Sequence, residues 1–280
     1  MAATLTSPET QAVSAVGQLL RGWRAARGMS QLDLAMQAGF SPRHVSFIET
    51  GRSHPSRQAL LALAESLDVP LRERNRLLEA AGYAHIYRQT QLAADEMAHI
   101  RGVLQFILDR HAPYGAVVLD RYSNCLMGNH ASSGLLAAMA DASLLAEPAN
   151  LLRVAFHPLG ARRVIANWDE VSRHLLSRAE RELGSGSDDA TAAALLAELR
   201  DYAGQAVMGR PSAPLVAADL LLPIHVRTEA FELRLFSTIM TLGTPQDVTL
   251  QELRIETFFP ADARSEATWR QLTATPDSAS

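Results

Sequence analysis

Ser30-Gln31-Leu32-Asp33-Leu34-Ala35-Met36-Gln37-Ala38-Gly39-Phe40-Ser41-Pro42-Arg43-His44-Val45-Ser46-Phe47-Ile48-Glu49-Thr50-Gly51 decides the fold of the N-terminal part of this chain. Ser30 is a good N-cap, because its hydroxyl accepts a backbone N–H that the first turn leaves unpaired, and Asp33 stands three residues on as a capping-box partner. Leu32, Leu34, Ala35 and Met36 follow, and Gly39 falls where a left-handed residue ends a helix of about two turns. Ser41 caps a second helix with Pro42 at its first position, where a missing N–H does no harm. Val45 and Ile48 share one face of that helix, Arg43, His44, Ser46 and Phe47 point elsewhere, and Gly51 closes it.

The flanks extend the helical pattern on both sides. Val13, Val16, Leu19, Leu20 and Trp23 recur at helical spacing and stop at Gly28. Pro55-Ser56 opens a helix that turns Leu60, Leu61, Leu63, Ala64 and Leu67 inward, and after Pro70 the stretch Leu71 to Ala81 makes a fifth helix, stopped by Gly82. Residues 12–82 are therefore expected to be an all-α, five-helix domain. Two short helices joined through a glycine, the second with a polar outward face, match the helix-turn-helix that seats its second helix in the major groove of DNA.

At this point the chain resembles the Xre/Cro-type repressors, through Arg24, Arg27-Gly28, Ser30-Gln31, Leu34-Ala35, Ala38-Gly39, Ser41, Ser46-Phe47-Ile48-Glu49 and Gly51. The resemblance implies a partly buried ion pair between Arg24 and Glu49 that ties the first helix to the recognition helix. For contact with double-stranded DNA the sequence offers Gln31 and Ser41 at helix starts, Arg43, His44, Ser46 and Phe47 on the recognition face, and Arg52 and Arg57 for the phosphates. Arginine bonds guanine O6 and N7 together, and a ring meets the thymine methyl. Pro42 stands where many relatives place a polar base reader.

Charge is distributed as that reading requires. The net charge of the 280 residues is −4. Residues 11–57 hold Arg21, Arg24, Arg27, Arg43, Arg52 and Arg57 against Asp33 and Glu49, a formal charge of +4, which leaves −8 elsewhere. The basic charge sits where a phosphate backbone would lie. Cys125 is the single cysteine, so an intrachain disulfide is excluded. Met1 to Gln11 lacks the apolar centre of a signal peptide, and no run approaches the roughly 18 apolar residues of a membrane span. A soluble cytoplasmic protein is expected.

Residues 83–94 show neither period nor cap and are read as a linker. Met97, Ile100, Val103, Leu104, Ile107 and Leu108 then mark an amphipathic helix over 95–112, which either joins domains or pairs two chains. From Gly115 the pattern turns to β, with strands Ala116 to Asp120 and Asn124 to Asn129, a helix from Ala131 to about Ala140, a short helix Asn150 to Pro158, and a longer one from Val164 to Leu183. Gly184 to Asp188 reads as a loop. A helix from Ala190 to Tyr202 leads to strands Leu221 to Arg227 and Phe231 to Thr241, then a loop at Gly243 to Asp247 and a last strand Leu253 to Phe259. Residues 95–262 are expected to form an α+β domain with an antiparallel sheet, and 263–280 a disordered tail.

That order resembles a PAS-like sensor fold. More particularly, Asn129, Asn150-Leu-Leu-Arg153, Phe156-His-Pro158, Trp168, Leu195 to Leu199, Phe236-Ser-Thr-Ile239, Gly243 to Leu250 and Glu252-Leu-Arg-Ile-Glu256 look like the ligand-binding domain of MmyB-like transcription regulators. The resemblance implies a small apolar ligand such as a fatty acid. Leu126, Leu136, Met139, Leu152, Phe156, Trp168, Leu175 and Phe236 are candidate walls, with Asn129, Asn150 and Arg153 as polar ends. No Gly-x-Ser-x-Gly, His-Glu-x-x-His or Cys-x-x-Cys occurs, and His157, His174 and His225 lie without ligand spacing, so neither catalysis nor a metal is expected, and no cofactor beyond such a ligand. The expectation is a dimeric, ligand-responsive transcriptional regulator. A regulator whose C-terminal domain binds a protein partner, and an enzyme controlled by its own N-terminal domain, are the alternatives.

Overall fold

Four serines set the starts of the N-terminal helices in the computed structural model, which describes residues 14–184, 189–204 and 223–273. Ser14 caps α1 (Ala15–Ala26), Ser30 with Asp33 forms the full capping box of α2 (Gln31–Ala38), Ser41 caps α3 (Pro42–Glu49) and Ser56 caps α4 (Arg57–Ser66). Each hydroxyl accepts a backbone N–H three residues ahead. Gly39 has φ of 74°, the left-handed turn that joins α2 to α3 at little cost only for glycine. Leu20, Leu34, Val45, Ile48, Leu60, Leu63, Leu77 and Leu78 interdigitate in one core, Leu77 and Leu78 coming from α5 (Leu71–Ala80). Val13 lies outside the described residues.

The N-terminal unit runs on to Gln89, so the expected linker at 83–94 is only in part a linker. Tyr83 and Ile86 pack on the core. Asn75 holds Ile86 and Tyr87, its Nδ2 donating to the Tyr87 carbonyl at 2.7 Å and its Oδ1 accepting from the N–H groups of Ile86 and Tyr87, both at 3.2 Å. A non-periodic segment tied down by one side-chain amide leaves no pattern in its own residues. The same unit includes Pro245–Gln251. There Val248 N–H donates to the Arg88 carbonyl at 2.8 Å, and Gln251 Oε1 accepts the Leu71 N–H at 2.7 Å, which supplies α5 with the cap that Pro70 does not.

In the C-terminal unit α6 (Ala98–Arg110) precedes β1 (Ala116–Leu119) and β2 (Cys125–Gly128). Among the described residues four helices follow, α7 (His130–Met139), α8 (Leu151–Phe156), α9 (Trp168–Leu183) and α10 (Ala190–Ala203). Strands β3 (Ile224–Arg227), β4 (Glu232–Met240) and β5 (Arg254–Pro260) complete a five-stranded sheet of order β2-β1-β5-β4-β3, every pair antiparallel. β5 lies at its centre. The short helix α11 (Val248–Glu252) occupies the β4–β5 connection, between the loop expected at 243–247 and the strand expected from Leu253, where the sequence suggests no element.

Two expectations from sequence give way here. The helix expected from Val164 starts at Trp168, because Val164–Ala166 pairs with β3: Ala166 N–H donates to the His225 carbonyl and Arg227 N–H to the Val164 carbonyl, both at 2.7 Å. The expected tail at 263–280 contains α12 (Ala263–Thr273). Trp269 in it is buried, and its indole N–H donates to the Pro113 carbonyl at 2.7 Å. One anchoring tryptophan outweighs a polar surround. Leu221 and Leu222, 185–188 of the expected loop, and 274–280 lie outside the described residues. No described helix is long and apolar enough to cross a membrane.

Candidate functional site

The N-terminal unit places two of its cations around one ring. On α3, Arg43 is exposed and its guanidinium lies 5.0 Å from the centre of the Phe47 ring, and the guanidinium of Arg52 lies 5.9 Å from the same ring. Phe40 and His44 approach at 5.4 Å between ring centres. Arg57, the first residue of α4, is exposed. Cations held over an aromatic face keep their outer N–H groups available to an anion. The Ser41 hydroxyl accepts from His44 N–H as a cap, and Ser46 is half-buried with its carbonyl taking the Thr50 hydroxyl.

Behind this face lies Glu49, with its side chain fully buried. Arg24 binds it in a fork, Nε to Oε1 at 2.6 Å and Nη2 to Oε2 at 2.9 Å, and Arg24 Nη1 donates to the Met29 carbonyl at 2.8 Å. The amide of Gln31 donates to Glu49 Oε2 at 2.8 Å, which engages the Gln31 side chain inside the unit. Arg21 stands 3.6 Å away. Burial pushes the Glu49 carboxyl up, but the hydrogen bonds from Arg24 and Gln31 and the charges of Arg24 and Arg21 more than reverse it, so its pKa lies below the ordinary value. Gly17 permits this closeness. A Cβ there would stand 2.6 Å from the Ile48 carbonyl oxygen and 2.7 Å from that of Glu49.

The C-terminal unit holds a cavity between its helices and the sheet. Leu135 and Met139 of α7, Leu152 of α8, Val171 and Leu175 of α9, and Leu235 and Phe258 of the sheet form its walls, with about 80 Å³ open to the centre of a water-sized sphere. One water needs roughly 10–15 Å³ on this measure. The space therefore admits a small organic molecule. Three polar residues reach it, Ser123, Arg178 and Glu256.

Of the wall residues expected from sequence, Leu136, Met139, Leu152 and Leu175 line the cavity. The others are elsewhere. Phe156 is buried in a separate core among α8, α9 and α10, edge-on to Trp168 with 5.1 Å between ring centres. Phe236 stacks on Phe259 at 5.4 Å, and Leu126 is partly exposed in a groove beside β2. None of the three expected polar ends reaches the cavity. Asn129 caps α7: its Oδ1 accepts from the N–H groups of Ala116 and Ser132, and its Nδ2 donates to the carbonyls of Leu108 and Tyr114. Asn150 caps α8, accepting from Arg153 N–H and donating to the Tyr122 carbonyl and Asn124 Oδ1. Arg153 forks onto Glu198 in solvent at 2.9 and 3.0 Å. An Asn at a helix start serves backbone before it serves a ligand.

Sequence reasoning passes over Arg178 and Glu256. Both were visible in spacing: Arg178 continues the Val171–Leu175 stripe of α9 at helical intervals, and Glu256 alternates in step with Phe258 on β5. Cys125 is half-buried, and burial together with the nearby Glu147 pushes its thiol up, which keeps it protonated. Among the described residues no group of three His, Cys, Asp or Glu side chains is placed to hold a metal.

Comparison with known proteins agrees with this division. Residues 15–77 match the helix-turn-helix domain model, and residues 100–272, more than half of the chain, match the model of the MmyB-like transcription regulator ligand binding domain. No curated protein sequence matches the chain. Among solved structures, the restriction-modification controller protein C.AhdI from Aeromonas hydrophila is 38% identical over 22% of this chain and 92% of that one, with a TM-score of 0.21. The chain belongs to the MmyB-like transcription regulators, and is a DNA-binding regulator with a helix-turn-helix unit and a ligand-binding unit.

Proposed function

We propose that the cavity of the C-terminal unit takes a small, largely apolar molecule, of the kind a fatty acid or related amphiphile represents, and that its binding changes the affinity of the N-terminal unit for a pseudo-palindromic operator read by two copies of the chain. The cavity carries this reading: apolar walls on α7, α8, α9 and the sheet with few polar groups are the ordinary make-up of a small-molecule site. On the DNA side, Arg43 and Phe47 face the bases, while Arg52 and Arg57 meet phosphates. Gln31 acts through Glu49.

A ligand moves such an equilibrium only by binding the DNA-competent and incompetent arrangements with different affinity. The covalent route is short. Pro245–Gln251 packs with the N-terminal unit and runs within a few residues into β5, which carries Glu256 and Phe258 to the cavity wall.

Native mass spectrometry of the purified chain, followed by denaturing extraction, tests the reading. A bound amphiphile that shifts operator affinity when titrated back supports it, and a ligand found on a variant whose cavity is filled by Leu135→Trp contradicts it. Arg43→Ala is expected to weaken binding by about 1–3 kcal/mol and relax one base preference; equal loss on all sequences, with a shallower salt dependence, makes it a phosphate contact.

A further inference from the structure

Arg178 and Glu256 are the charged residues among the cavity's lining, where Ser123 is the other polar side chain. Arg178 Nη2 donates to Glu256 Oε2 at 3.1 Å, and the side chains are 17% and 6% exposed. A second carboxylate, Glu182, stands 3.9 Å from Arg178 Nε. The guanidinium thus already faces two acids. Glu256 accepts one hydrogen bond, from Arg178, and both residues line the open space; a carboxylate is an acceptor only and has capacity for further donors. Arg178 brings further N–H donors to the same lining.

We propose that the cavity selects amphiphiles with an uncharged head that both donates and accepts hydrogen bonds, a hydroxyl or a carboxamide, over those with an ionised carboxylate, and that Glu256 makes the selection. A hydroxyl or amide N–H donates to Glu256 while its oxygen accepts from Arg178. An ionised carboxylate offers no donor to Glu256, lies against it as a like charge away from water, and competes with it for one guanidinium. The inference rests on the cavity reading above and narrows it, keeping the amphiphile and setting the ionised fatty acid among the disfavoured ligands. It fixes the head group and leaves the tail to the apolar walls, whose free space suits a chain of about six carbons before any repacking.

Calorimetric titration of the purified full chain with hexan-1-ol, hexanamide and hexanoate at pH 7.5, where the acid is ionised, tests it. The alcohol and amide are expected to bind about tenfold or more tightly than hexanoate, since like charges juxtaposed in a buried site are strongly disfavoured. In Glu256→Gln the preference for the uncharged heads narrows toward hexanoate, because the like charge beside the head is gone while Glu182 still stands near Arg178. Hexanoate binding tightest to the wild type overturns the inference and, if Leu135→Trp abolishes it, leaves the cavity reading standing. Failure of all three probes, or binding that survives Leu135→Trp, overturns both. If Glu256→Gln does not fold, the wild-type order alone decides.

Discussion

Two buried glutamates, one in each unit, show how the same residue type serves a fold and a site. Glu49 is 1% exposed and accepts three hydrogen bonds, two from the fork of Arg24 and one from Gln31. Glu256 is 4% exposed and accepts one, with a cavity beside it. A buried charge whose partners are complete is part of the packing, and removing it leaves a guanidinium behind. A buried charge whose partners are incomplete has capacity left for a visitor. The contrast lies in what surrounds the carboxylate, since burial is almost the same.

Breaking the complete site has the largest expected effect. Glu49→Ala strands Arg24 and is expected to cost about 3–5 kcal/mol, unfolding or loosening the N-terminal unit; an unchanged thermal midpoint would remove Glu49 from this structural role. The acid limb sharpens the same point. A carboxyl whose pKa is lower in the folded state contributes stability that is present above its unfolded value, about 4.3, and is lost as pH falls through its folded value. Glu49→Gln should flatten the pH dependence of unfolding in that window alone.

Gly17→Ala attacks the same site from behind. Its methyl meets the Ile48 and Glu49 carbonyl oxygens, so in spite of alanine's better helix propensity a loss of about 1–3 kcal/mol is expected in denaturant unfolding. Glu256→Ala is expected to cost less than Glu49→Ala, about 1–2 kcal/mol, because Glu182 and the cavity remain to Arg178. Equal losses in the two alanine variants would end the comparison. Arg153→Ala should cost less than about 1 kcal/mol and leave titration of the cavity unchanged, as fits an exposed ion pair; altered ligand binding would return Arg153 to the site.

The sequence makes the N-terminal unit legible because its determinants are local. Ser30 and Asp33, Ser41 and Pro42, and Gly39 act within one turn of themselves, and all are found in those roles. The cavity is half legible. Leu136, Met139, Leu152 and Leu175 lie on apolar stripes that must face inward, but the same pattern marks Phe156 and Trp168, which pack on each other. Periodicity tells which side is buried and leaves open whether the burial is filled. Asn129 and Asn150 mislead for a related reason: an Asn before a helix and an Asn beside a ligand are the same residue in a sequence, and only the count of satisfied donors and acceptors separates them.

By itself the sequence determined the starts and stops of the N-terminal helices, the helix-turn-helix and its basic charge, the antiparallel strands and the two-part order of the chain, because caps, turns and apolar spacing act over a few residues. Tertiary structure alone decided that Val164–Ala166 pairs with β3, that α12 is anchored by Trp269, that Pro245–Gln251 packs with the N-terminal unit, and that Arg178 and Glu256 meet in the lining of a cavity. Those outcomes depend on partners from 61 to 180 positions apart and on what volume is left between helices, and neither distance nor empty space is written in local pattern.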